Sequence, residues 1–221
     1  MYQDLEKPIE ICTDENPSAS VIWLHGLGAD GNDFVPVVKM LNLPNIRFIL
    51  PHAPYQKISM NNGYEMRAWY DLFGLKSNQP QDEAGIEASR AYIESLISQE
   101  NQRGIANNKI ILAGFSQGGA SALHTAARQQ QALAGVLALS TYLPLHAKLS
   151  TEKTIASLST PIFMAHGSFD EVITLERCKA SLAVLEENSY KIDWHEYAMA
   201  HSVCPQEIND IRTFILSILG H

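Results

Sequence analysis

The sequence predicts an α/β fold, with a mostly parallel central sheet flanked by helices on both faces. Three observations lead there. Short β-branched apolar runs recur along the chain, longer stretches of helical periodicity separate them, and most of the runs are apolar at nearly every position. Continuous apolar runs mark strands buried on both faces, and strands alternating with helices imply right-handed crossovers into a parallel sheet.

The strand candidates are SVIWLH (20–25), IRFILPH (46–52), KIILAGF (109–115), GVLALS (135–140), PIFMAHG (161–167) and KIDWHEY (191–197). The last sets Ile192, Trp194 and Tyr197 among polar neighbours, and that alternation predicts a position toward a sheet edge. Between the runs lie helical periods. Ile86, Ile93, Leu96 and Ile97 share one face of 82–100, and the opening Asp82-Glu83 suits the positive end of a helix. Leu175, Cys178, Leu182 and Leu185 recur in 174–187. Ile208, Ile211, Ile215, Ile218 and Leu219 follow Pro205, a natural first-turn proline. Two segments break the rhythm. Residues 53–81 form a long, aromatic-rich connection, a pattern often tied to function, and 141–160 form a shorter excursion containing Tyr142 and Leu143. The whole, 1–221, is expected to be one domain with a loop or flap insertion at about 53–81.

A chain of 221 residues buries roughly 70–75% of its unfolded surface and needs no disulfide or metal staple. Its formal charge is −8, from 16 Lys and Arg against 24 Asp and Glu. With no basic window, nucleic acid is excluded as a main partner. Cys12, Cys178 and Cys204 are odd in number and widely spaced, which fits a reducing compartment rather than a disulfide framework. The opening MYQDLEKPIEICT lacks the form of a signal peptide, and no apolar run approaches the ~20 residues of a membrane span. A cytoplasmic location is the resulting expectation, with no metal site and no cofactor.

In open α/β sheets, ligands bind at the carboxyl ends of the strands, so chemistry is sought in the residues just after each one. After KIILAGF comes Gly114-Phe115-Ser116-Gln117-Gly118, a G-x-S-x-G turn between a strand and a helix. Such an elbow holds a serine in a strained conformation with its hydroxyl exposed, which makes Ser116 the candidate nucleophile. A serine hydroxyl needs a base, itself oriented by a carboxylate, and on this kind of sheet the order is Ser, then Asp or Glu, then His. Asp170 follows PIFMAHG and His201 follows KIDWHEY, so both sit beyond strand ends facing the elbow. Glu171 is the weaker rival for the carboxylate. Of the other histidines, His25 and His166 precede glycines at strand ends and read as structural, and His52, before the long loop, is placed to line the pocket. Two N–H donors are required for an oxyanion: that of Gln117, the residue after the nucleophile, and that of Leu27 in the glycine-rich HGLGADG loop. Trp69, Tyr70, Leu72 and Phe73 are the candidates for an acyl-binding wall and mobile flap. An exposed apolar flap there would also offer contact to a membrane surface or a dimer partner.

Together, HGLGADGNDF, LPHAP, RAWYDL, DEAGI, GFSQGG, HGSFDEVI and the ending HSVCPQEI resemble the acyl-protein thioesterase/carboxylesterase (phospholipase/carboxylesterase) family of α/β-hydrolases along essentially the whole chain. The resemblance implies Ser116 as nucleophile, Asp170 as orienting acid, His201 as base, and the Leu27 and Gln117 N–H groups as oxyanion hole. It further implies short- to medium-chain acyl esters and thioesters as substrates, with lysophospholipids or S-acylated proteins among them, and homodimer formation. One departure stands out: Thr174 occupies a position where the family often has proline. A non-catalytic binding protein on the same scaffold is the rival, and the intact Ser/Asp/His set argues against it.

Overall fold

A computed structural model describes residues 2, 5–76 and 79–220; Ser77 and Asn78 of the 53–81 segment, and the terminal His221, lie outside the described residues. In chain order the strands are β1 (Ile9–Ile11), β2 (Ala19–Leu24), β3 (Ile46–Leu50), β4 (Tyr55–Ile58), β5 (Tyr64–Arg67), β6 (Ile110–Phe115), β7 (Gly135–Leu139), β8 (Ile162–Gly167) and β9 (Ile192–Tyr197). The α-helices are α1 (Val35–Leu41), α2 (Glu83–Gln102), α3 (Gln117–Ala126), the short α4 (Leu149–Glu152), α5 (Leu175–Glu187) and α6 (Pro205–Leu219).

Seven strands form the main sheet in the order β1-β3-β2-β6-β7-β8-β9. Only β1 runs antiparallel, against β3; the remaining pairs are parallel. The unbroken apolar strands have a direct physical reason. Side chains alternate across a strand, so Ile22 and Leu24 enter one core while Val21 and Trp23 enter the other. Strand β6 divides the same way, with Ile110 and Leu112 opposite Ile111 and Ala113. Helices α2, α3 and α5 cover the first face, and α1 and α6 the second. Strand β9, with its alternating pattern, lies at the sheet edge.

The long connection is less irregular than its sequence suggested. Strands β4 and β5 pair as an antiparallel hairpin within it, from Tyr55 opposite Arg67 to Ile58 opposite Tyr64. Its turn places Asn62 and Gly63 at φ of 55° and 75°. Asn-Gly is a strong short-range hairpin signal, and the hairpin was legible there. Helix α1 also went unread, although Pro36 lies in its first turn and Asn42 closes it in a left-handed conformation. At α5, Thr174 caps the helix, its hydroxyl accepting from the Arg177 N–H at 3.3 Å, so the missing proline leaves this helix start intact.

Candidate active site

Strand β6 ends at Ser116, which stands at φ 54°, ψ −121°, a region a serine enters only at a cost of about 1–3 kcal/mol. The neighbouring backbone enforces it. The Ser116 N–H donates to the Leu139 carbonyl at 2.9 Å, and the Thr141 hydroxyl donates to the Ser116 carbonyl at 2.6 Å. A Cβ on Gly118 would lie 2.3 Å from the Leu24 carbonyl oxygen, and one on Gly114 2.3 Å from the Gly118 backbone. Only glycine lets strand, turn and helix approach so closely. The following helix, α3, is buried along its entire length, which explains its run of small residues.

Asp170 lies beyond the end of β8 with its side chain fully buried. Its Oδ1 accepts the Val172 and Ile173 N–H groups, each at 2.9 Å, and its Oδ2 accepts His201 Nδ1–H at 2.6 Å. That last bond fixes the imidazole tautomer and leaves Nε2 without a proton, free to take one. His201, beyond β9, keeps 18% side-chain exposure and packs its ring 4.7 Å from that of Phe115. Glu171, the rival carboxylate, is exposed. Ser116, His201, Leu27 and Gln117 line one cavity of about 280 Å³, whose other walls are mainly apolar. The Leu27 and Gln117 N–H groups have no acceptor among the described residues. The Ser116 hydroxyl and His201 Nε2 are likewise not hydrogen-bonded to one another; such bonds often tighten only with substrate.

Two further histidines hold this arrangement. His25 donates from Nδ1 to the Gly26 carbonyl at 2.7 Å and accepts the Ala53 N–H on Nε2 at 3.0 Å, which ties the Leu27 loop to the start of the 53–81 segment. Burial lowers its pKa to about 4, so the ring is neutral. His166, buried behind the carboxylate, donates from Nε2 to the Ile173 carbonyl at 2.7 Å and lies 3.3 Å from Asp170 Oδ2. Burial also depresses its pKa. The structural roles expected of both rings agree with these contacts.

The aromatic wall requires correction. Trp69 and Tyr70 are 0% and 2% exposed and belong to the core under the sheet, not to the cavity lining. The Trp69 indole N–H donates to the His25 carbonyl at 2.8 Å, so this ring supports the oxyanion loop from behind. Phe73 is 43% exposed and also outside the lining. Of the four, Leu72 alone borders the cavity, joined by Met60, Leu75, Tyr142, Val172 and Ile173. His52 stands outside the lining too, its Nδ1 accepting the Gly31 N–H at 3.1 Å. Sequence reasoning also missed the Gln117 side chain. Its Oε1 accepts the Trp69 N–H at 2.9 Å and its Nε2 donates to the Tyr70 carbonyl at 2.7 Å. A lone glutamine carries no signal for such a clamp.

Fold and site define a serine hydrolase of the α/β-hydrolase type. Residues 6–219 match the model of the phospholipase/carboxylesterase family, and the chain belongs to that family. It is 36% identical to acyl-protein thioesterase 1 of Cryptococcus neoformans, over 96% of this chain and 98% of that one. Acyl-protein thioesterase 1 of Mycosarcoma maydis is also 36% identical, with 92% of each chain covered. Among solved structures, maize acyl-protein thioesterase 2 superposes with a TM-score of 0.88 at 27% identity, covering 97% of this chain and 99% of that one. Among the described residues, no helix is long and apolar enough to cross a membrane.

Proposed function

We propose that this protein hydrolyses short- to medium-chain acyl esters and thioesters through an acyl intermediate on Ser116. The observation that carries the proposal is the 2.6 Å bond from His201 to a buried Asp170 carboxylate, beside Ser116 in a largely apolar cavity. In this reading His201 Nε2 takes the Ser116 proton as Oγ attacks the acyl carbonyl. The Leu27 and Gln117 N–H groups stabilise the oxyanion, and His201 returns the proton to the leaving alcohol or thiol. Water then attacks the acyl carbonyl as His201 accepts its proton. Collapse of that tetrahedral intermediate breaks the acyl–Oγ bond, His201 returns the proton to Ser116 Oγ, and the acid is released. Two N–H donors without protein acceptors support the assignment, because preorganised donors act without reorganisation cost. The names of the fungal and maize relatives favour S-acylated protein as one physiological substrate, with the acyl chain in the cavity and the cysteine sulfur as leaving group. A cytoplasmic location goes with this reading, supported by three widely spaced cysteines that fit a reducing compartment.

The test is turnover of p-nitrophenyl esters and acyl thioesters of graded length beside the matching anilides. Hydrolysis of esters and thioesters far above anilides is expected. Turnover of anilides alone would overturn the proposal in favour of a peptidase.

A further inference from the structure

The cavity beside Ser116 ends at Tyr142, a 4% exposed residue just beyond β7 that borders three hollows at once. One is the main cavity of about 280 Å³. A second, of about 90 Å³, is lined by Leu143, Ala180 and Val184 together with Gln81, His146 and Ser181. The third, of about 20 Å³, is lined by Tyr70, Leu72 and the polar residues Asp71, Gln79, Gln81 and Asp82. A side chain lining all three is the partition between them.

Two contacts hold that partition upright. The Tyr142 hydroxyl is 2.8 Å from that of Tyr70, and both phenols are kept neutral by burial. The Arg177 guanidinium lies over the Tyr142 ring, 3.6 Å from its centroid, and donates to the Leu75 carbonyl at 2.6 Å. Arg177 borders both smaller hollows but not the main cavity. A guanidinium stacked on an aromatic face is attracted by the ring quadrupole, so the arginine fixes the ring and blocks the space behind it. Leu75, held by the same arginine, lines the main cavity as well.

We infer that Tyr142, propped by Arg177 and Tyr70, is the end wall that sets the acyl-chain length this enzyme accepts, with Arg177 as the positioning residue. The inference rests on the esterase reading above. Release of Arg177 lets the ring turn into the space the guanidinium fills, and the hollow at Leu143 and Val184 then extends the main cavity. Each methylene newly accommodated in an apolar pocket is worth about tenfold or more in kcat/KM.

The experiment measures kcat/KM for p-nitrophenyl butyrate, octanoate and dodecanoate with wild type, Arg177→Ala and Tyr142→Ala, after each protein is shown to react with a fluorophosphonate. Wild type is expected to favour the shorter esters. Both variants should raise the dodecanoate-to-butyrate ratio by about tenfold or more. The double variant should gain no more than Tyr142→Ala alone, because both changes remove one wall. A general loss of stability would lower all three esters together and leave the ratio flat, which overturns the inference. Arg177→Met, which keeps an apolar stem but leaves the guanidinium's space empty and cannot hold Leu75, replaces Arg177→Ala if the latter fails to fold. It should shift the ratio in the same direction. Wild type that does not label would overturn the serine-hydrolase reading and this inference with it. Labelling with unchanged ratios would overturn the end wall alone.

Discussion

The turn at Ser116 and the segment 53–81 meet across the cavity, and they are held in different ways. The turn is locked by backbone packed on backbone, Gly114 against Gly118 and Gly118 against Leu24 of β2, leaving no room for a Cβ. The segment is held by side chains from elsewhere in the chain. Gln117 clamps Trp69 and Tyr70, Asp82 accepts the Asp71 N–H at 2.9 Å, and Arg177 holds Leu75. Backbone packing therefore determines the first region, while side-chain contacts determine the second. The comparison separates residues poised for chemistry from aromatic residues that support them from behind.

Substitutions on the two sides of the cavity should break that comparison in distinct ways. Ser116→Ala should lower kcat by about 10⁶-fold with little change in folding, measured by ester turnover and thermal melting. Asp170→Asn should lower it by about 10⁴-fold, because the amide no longer enforces the Nδ1–H tautomer of His201. Across the cavity, Trp69→Ala should cost about 3–5 kcal/mol of stability by urea unfolding, as a buried aromatic does. Phe73→Ala, at an exposed site in the same segment, should change it by less than about 0.5 kcal/mol. If the two were alike, the distinction between core support and exposed loop would fail.

A pH experiment sharpens the account of the His201 loop. Glu207, in the first turn of α6, is fully buried, with neither carboxyl oxygen hydrogen-bonded at full geometry among the described residues. Burial raises its pKa to about 8, and the nearby Cys204 N–H offsets only part of that. The folded protein thus holds this proton more tightly than the unfolded chain does. Stability is full below the ordinary value of 4.5 and is lost as pH rises from there through about 8. Glu207→Gln should be more stable than wild type at pH 8 in urea unfolding, by on the order of 2–4 kcal/mol, and the gap should close near pH 4.5. A smaller effect than at Trp69 is expected at Gln117→Ala. It leaves the buried Trp69 N–H and Tyr70 carbonyl unpaired, at about 1–3 kcal/mol in unfolding measurements.

Much of the fold was legible because most of its strands are buried on both sides: five apolar runs correspond to five strands of the main sheet, and the alternating run 191–197 to its edge strand β9. Strand β1 is three residues long and mixed in character, too short for any period to register. The candidate site was legible where it follows strand ends, since Ser116, Asp170 and His201 stand just beyond β6, β8 and β9. Its wall was not. Whether an aromatic in a loop faces a cavity or the core depends on which distant groups bind its backbone, and nothing near Trp69 in the sequence points to Gln117. Tyr142 and Arg177, far apart in the chain, meet only in the fold.

The central claim is that Ser116 is the nucleophile, activated by His201. Its most direct test is to treat the folded protein with a fluorophosphonate and map the adduct by peptide mass spectrometry while ester turnover is followed. A single adduct on Ser116, formed in step with complete loss of turnover and much slower in His201→Ala, is the expected result. No adduct on folded protein, or turnover that persists once Ser116 is fully modified, would contradict it.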